Sequence, residues 1–132
     1  MRAVLADTGP LYALALPSDQ YHERARAGEK LLIQQSLRVC VNYATLFETQ
    51  SLLLRRVSPT SAARWQQQLA YGSSLIAPKP EDFEEAIEKT KRFPDQTLSY
   101  FDSLLAVLSE RLELPIWTFD SDFDVMGAWV WR

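Results

Sequence analysis

Cysteine and histidine are scarce in this chain of 132 residues, and no long apolar run interrupts it. Each shortage excludes something. With Cys40 as the single cysteine, there is no internal disulfide and no second thiolate for a zinc site, so Cys40 reads as a small buried hydrophobe. With His22 as the single histidine, acid–base catalysis by a histidine pair is excluded, and His22 itself falls in an expected surface helix. The opening MRAVLADTGPLYALALP is apolar. Asp7, Gly9 and Pro10 break it before it reaches the length of a signal core or a bilayer span, so a cytoplasmic protein with no membrane partner is expected.

A basic excess is also missing. The net charge of -3 argues against a nucleic-acid binder, unless several acids gather around divalent cations that cancel their charge locally. Arg55, Arg56, Arg64, Lys89, Lys91 and Arg92 are the candidates for a residual basic surface, although each reads first as an ordinary solvated side chain. What is present is the composition of a globular protein: 47% hydrophobic, 23% charged, without low-complexity tracts or repeats. The length suits one domain over residues 1–132.

Along the chain, short apolar runs alternate with helical periodicity. A strand over 2–6 stops at Asp-Thr-Gly-Pro; a short helix over 11–16 ends at Pro17. Ser18 or Asp19 caps a longer helix reaching 35, followed by a strand over 38–41. Asn42 caps a helix over 43–57 that Ser58-Pro59 closes, and Thr60 caps the next, to about 71. A strand over 74–77 and an acidic helix over 80–92 follow. After Ser99, Phe101, Leu104, Leu105, Leu108 and Leu112 mark one face of an amphipathic helix. Strands over 115–118 and 128–131 finish the chain, the last with Trp129 and Trp131 on one side. This order implies an α/β fold with a mainly parallel central sheet flanked by helices, in which ligands bind beyond the carboxyl ends of the strands. Asp7 and Asp120 both fall immediately past strand ends.

Each acid has a structural account of its own. Asp7 is placed to cap a helix, and Asp102, three residues after Ser99, has the spacing of a capping box. Asp120, Asp122 and Asp124 crowd a turn between two strands, where Asx turns are common. Glu48 is harder to explain so, because Leu46, Phe47, Leu52 and Leu53 surround it, although a polar stripe on that helix would accommodate it. Separate parts of the fold would each have to deliver an acid to the same mouth by coincidence. Carboxylates gathered there repel one another unless a cation neutralises them. Oxygen-only ligands suit Mg2+ or Mn2+ rather than zinc, and such a cluster hydrolyses phosphodiesters without a side-chain nucleophile.

With these residues in place, the whole chain resembles the PIN-domain family, and within it the VapC-type toxins of type II toxin–antitoxin pairs. VLADTGPLYAL supplies Asp7 and Thr8; TLFETQSLLLRR supplies Glu48; LSYFDSLLAVLSE supplies Asp102; PIWTFDSDF supplies Thr118, Asp120 and Asp122. The resemblance implies a three-layer PIN-like fold and a metal-dependent endoribonuclease. It makes Asp7, Glu48, Asp102 and Asp120 catalytic metal ligands, Asp122 an assisting one, and Thr8 and Thr118 supporting residues. It also implies an RNA substrate, a homodimer and a small antitoxin. Arg55, seven residues after Glu48 on nearly the same helix face, is a candidate phosphate contact or a solvated arginine. Asp124 has no assigned role.

Other identities are less well supported. Asp-Thr-Gly also marks aspartic proteases, but one copy would need a homodimer and an all-β fold, against the helical periodicity around Glu48 and Asp102. The run Asp120, Asp122, Asp124 imitates an EF-hand loop and fails at its sixth and twelfth positions, Val125 and Trp131. Two alternatives stay open: a PIN-like nuclease of RNA processing outside a toxin pair, and a non-catalytic RNA- or protein-binding module.

Overall fold

In the computed structural model, which describes residues 2–132, the strands form one sheet. β1 (Ala3–Ala6) pairs with β2 (Arg38–Asn42) on one side and β4 (Ile116–Trp117) on the other, and β3 (Ser74–Ile76) extends the sheet beyond β2. Every pair is parallel, in the order β3-β2-β1-β4. Period-two alternation then divides the strand residues between two cores. Val4, Ala6, Val41 and Trp117 face one layer, while Leu5, Cys40 and Ile116 face the other.

The first layer is built from α1 (Thr8–Ala15), α2 (His22–Gln34), α3 (Tyr43–Arg56) and α4 (Pro59–Gly72), through Leu11, Leu32, Leu46, Leu53, Trp65 and Leu69. The second comes from α5 (Pro80–Lys91), α6 (Tyr100–Leu112) and the short α7 (Asp122–Val125), through Ala86, Leu104, Leu105, Leu108 and Phe123. The result is the three-layer α/β arrangement expected. Leu5 and Leu108 are wholly buried, each contributing about 2 kcal/mol of apolar transfer. Cys40 is buried, and burial pushes its thiol up against the opposing charge of Arg38, which suits an inert packing role.

Polar links clip α5 to α6. Arg111 donates from Nε and Nη2 to the two carboxylate oxygens of Asp82, each at 2.8 Å, and Lys89 Nζ reaches Glu110 at 2.9 Å. Asp82 is 3% exposed. Burial pushes its carboxyl up, but the hydrogen bonds of Arg111 and the Lys79 N–H, with the charges of Arg111 and Lys79, outweigh it and hold the carboxyl below its ordinary value.

Several boundaries differ from expectation for local reasons. α1 begins at Thr8 because Asp7 accepts the Thr8 N–H and Pro10 fits the first turn, where no intrahelical donor is needed. Asp19 is spent on a turn, accepting the Tyr21 N–H at 3.0 Å, so α2 starts only at His22. Ser58 rather than Thr60 caps α4, with Pro59 as its first residue. Residues 128–131 do not form a strand. Only Val130 bridges to Ile116, since two-residue β4 offers little more to pair with.

His22 is not a surface residue. It is 9% exposed, and its Nδ1 lies 2.7 Å from the Ala13 carbonyl, to which it donates, satisfying an acceptor of the last turn of α1. Among the described residues, no helix is long and apolar enough to cross a membrane.

Candidate active site

From β1 the chain builds outward through β2 to β3, then adds β4 on the opposite side of β1. The order therefore reverses between β1 and β4, and the crevice beyond the carboxyl ends of those strands is the natural ligand site of such a sheet. Asp7 is the first residue past β1 and Thr118 the first past β4, held together by the Asp7 N–H donating to the Trp117 carbonyl at 2.9 Å. Asn42, at the end of β2, caps α3 with its side-chain oxygen, and that helix carries Glu48. Ser99 accepts the Asp102 N–H at 3.1 Å and so starts α6 with Asp102 in its first turn.

These segments line one cleft, with Asp7, Thr8, Gly9, Glu48, Asp102 and Asp120 among its walls. Carboxylate oxygens of Asp102, Asp120 and Asp122 all lie within 4.8 Å of one another. Asp7 and Glu48 stand beside that trio, outside the 4.8 Å group.

A hydroxyl network fixes the acids. Both oxygens of Asp7 accept hydrogen bonds at 2.8 Å, Oδ1 from the Thr8 N–H and Oδ2 from Thr118 Oγ1. Thr118 Oγ1 also accepts the Asp120 N–H at 3.0 Å, and Asp120 Oδ1 accepts the Asp122 N–H at 2.9 Å. Thr8 Oγ1 donates to Glu48 Oε1. The Thr49 hydroxyl donates to the Thr45 carbonyl at 2.8 Å and lies 3.5 Å from Thr8 Oγ1. Asp7 is thus both the helix cap that its sequence position suggests and a member of the acidic cleft.

Burial raises the Asp7 carboxyl to about 6, against the hydrogen bonds of Thr118 and Thr8, and the charges of Asp102 and Glu48 add to the rise. Asp102 is raised too, chiefly by burial, with Ser99 opposing and the charges of Asp120 and Glu48 adding. Among the described residues, no lysine or arginine lines this cleft. Its donors are all oxygens, crowded and mutually repelling, and they fit a hard divalent cation. Bound there, such a cation would leave the fixed acids neutralised and the cleft open to an anionic substrate.

Every proposed acid except Asp124 reaches this region. Asp124 turns away and pairs with Arg132. Arg55 stands exposed on the last turn of α3, its Nε 3.3 Å from the Ser51 carbonyl, and is not part of the cleft lining. The expected turn over 120–124 is instead the one-turn helix α7, anchored by wholly buried Phe123. The apolar spacing of Phe123 and Met126 is the sequence signal for it. Tyr21, Leu52 and Phe119 also line the cleft. Phe119 was legible only as the residue between Thr118 and Asp120; Tyr21 arrives through the packing of α2 and has no sequence signal.

Solved structures share this architecture. VapC20 of Mycobacterium tuberculosis, a sarcin-ricin loop cleaving toxin, aligns with a TM-score of 0.83 at 22% identity over 96% of each chain. VapBC2 of Rickettsia felis, bound to a DNA fragment from its promoter, gives 0.78 at 10% identity, covering 98% of this chain and 97% of that one. FitAcB of Neisseria gonorrhoeae gives 0.68 at 16% identity, covering 98% and 96%. At these identities the likeness is one of fold. No curated protein matches in sequence. The sequence model of the PIN domain matches residues 4–128, and the chain belongs to the PIN-domain family.

Proposed function

We propose that this chain is a Mg2+- or Mn2+-dependent endoribonuclease, the cytoplasmic toxin of a toxin–antitoxin pair, folded as a single domain over residues 1–132. The observation that carries the proposal is the convergence of acids from separate segments on one cleft at the switch point of a PIN-family sheet. A toxin that cleaves the sarcin-ricin loop shares the fold, which supports RNA as substrate.

Asp102, Asp120 and Asp122 would hold the metal, with Asp7 and Glu48 completing the set. When bound, a divalent cation supplies polarisation of the phosphoryl group, activation of water and stabilisation of the leaving oxygen. The protein's part is orientation. Thr118 fixes Asp7 and, through the Asp120 N–H, the loop carrying Asp120; Thr8 fixes Glu48. Preorganised acids of this kind need little rearrangement when substrate arrives. Arg55, one helical stretch of about 10 Å beyond Glu48, contacts a phosphate further along the strand.

Two apolar surfaces suit the proposed partners. Phe47, 61% exposed, and Leu54, 45% exposed, lie one heptad apart on α3 and offer a stripe for an antitoxin segment. The groove of Phe83, Ile87, Tyr100, Phe101 and Leu104 between α5 and α6 is almost wholly apolar and suits a second copy of the chain.

The test is cleavage of mixed structured RNA by the purified protein. Cutting with Mg2+ or Mn2+, stopped by EDTA and restored by excess metal, is the expected result. Cutting that persists in EDTA would remove the metal from the mechanism, and a folded, metal-loaded protein that cuts no RNA, its cognate target included, would favour the non-catalytic alternative.

A further inference from the structure

We infer that Tyr21 and Phe119 form a stacking shelf for an unpaired base of the RNA strand, beside the acidic cleft where the proposed metal would meet the phosphate; this rests on the nuclease reading above. Both rings line the cleft that contains Asp7, Glu48, Asp102 and Asp120. Their centroids are 5.8 Å apart with the planes tilted by 42°, a splayed pair rather than a closed stack. Tyr21 is 45% exposed although it enters α2 from an ordered turn.

Arg24 fixes the shelf and adds the missing charge. Its guanidinium lies 4.3 Å from the Phe119 ring centroid, and none of the ion pairs among the described residues involves it. The charged walls of the cleft are all acidic, and Arg24, outside that lining, brings a positive charge against Phe119, one of its walls. Gly9 borders Phe119, where a Cβ would lie in ordinary contact with the ring at 3.8 Å.

The chemistry of the shelf selects the ligand. A sugar phosphate alone gains nothing from two rings, whereas a base presents a flat π-face of matching size. A base held in a duplex cannot reach the shelf, so the strand must be single or splayed at that nucleotide. Stacking of this kind tolerates any base, which assigns the shelf to positioning and leaves sequence preference to other contacts.

The test is equilibrium binding, by fluorescence anisotropy with Mn2+, of a short mixed-sequence single-stranded RNA and of the same oligonucleotide made abasic. Asp102→Asn serves as the background so that the strand is not cut. Phe119→Leu and Tyr21→Leu are expected to weaken binding of the intact strand by roughly ten- to a hundredfold. They should cause no further loss on the abasic strand, and Tyr21→Phe should restore affinity. Equal losses on both strands would overturn the shelf in favour of a purely structural pair, as would no loss on either. If Phe119→Leu fails to fold, Tyr21→Leu at its exposed position carries the same comparison. Cleavage by the unsubstituted protein is read separately. Base-dependent binding without any cleavage would support the shelf and overturn the nuclease reading, whereas cleavage unaffected by both leucine variants would overturn the shelf alone.

Discussion

Thr118 Oγ1 donates to Asp7 Oδ2 at 2.8 Å, joining residues 111 positions apart in sequence at the mouth of two neighbouring strands. The same hydroxyl oxygen accepts the Asp120 N–H at 3.0 Å. One small side chain thus sets the spacing between the acid that follows β1 and the acidic loop that follows β4. A valine would keep the volume and lose both interactions.

Thr118→Val is expected to lower metal affinity and RNA cleavage by roughly ten- to a hundredfold, the usual effect of removing a residue that orients metal ligands. Stability should fall by only about 1–2 kcal/mol, because Asp7 retains the Thr8 N–H. Thr118→Ser should retain most activity. Mn2+ titration calorimetry alongside the cleavage rate checks this, and wild-type metal affinity in Thr118→Val would show that the hydroxyl positions nothing.

The elevated Asp7 carboxyl gives the metal-free protein an unusual pH dependence. Its folded value is about 6, above the ordinary 3.8, so between these limits the folded state binds more protons than the unfolded one. Stability contributed by the neutral carboxyl is present at low pH and is lost as pH rises toward 6 and beyond. Metal-free Asp7→Asn should accordingly be more stable than the parent at pH 7, by at most about 3 kcal/mol, with the difference shrinking as the pH approaches 4. Urea denaturation across this range in EDTA is the measurement. A stability difference independent of pH would contradict the burial of an ionisable Asp7.

Asp82 behaves in the opposite sense. Its folded carboxyl lies below the ordinary value, so its stabilisation is fully present above the unfolded carboxylate range and is lost as pH falls through the lower, folded value. Asp82→Asn should cost roughly 2–3 kcal/mol near neutral pH, less than for a fully buried pair because Arg111 remains 32% exposed. The pair lies outside the lining of the acidic cleft, so cleavage per folded molecule should stay near the parent rate. Thermal melting and the cleavage assay together test both halves of this expectation.

The sequence made the layers legible because period-two strands and amphipathic helices write burial directly into residue order. Asn42 and Ser99 were readable as caps for the same local reason: a side-chain oxygen two or three residues before free N–H groups needs no tertiary context. Asp19 was misread because its carboxylate serves a turn that depends on how α1 meets α2. His22 was misread because a single polar residue on a charged helix gives no sign that the Ala13 carbonyl waits beside it. Residues 128–131 do alternate, with Val130 packing on one core and Trp131 on the other, but alternation records burial and not pairing. At the site, the acids were recognisable in sequence, whereas Tyr21 and Phe119 were not, since nothing local distinguishes a cleft aromatic from a core aromatic.

The most direct test of the account is the Asp102→Asn variant beside the parent in RNA cleavage with Mg2+ or Mn2+, both checked for folding by circular dichroism. Asp102 carries an oxygen within 4.8 Å of those of Asp120 and Asp122, and its loss should weaken metal binding and reduce cleavage by at least about a hundredfold with the fold intact. Parental cleavage by folded Asp102→Asn would contradict the assignment of the acidic cleft as the active site.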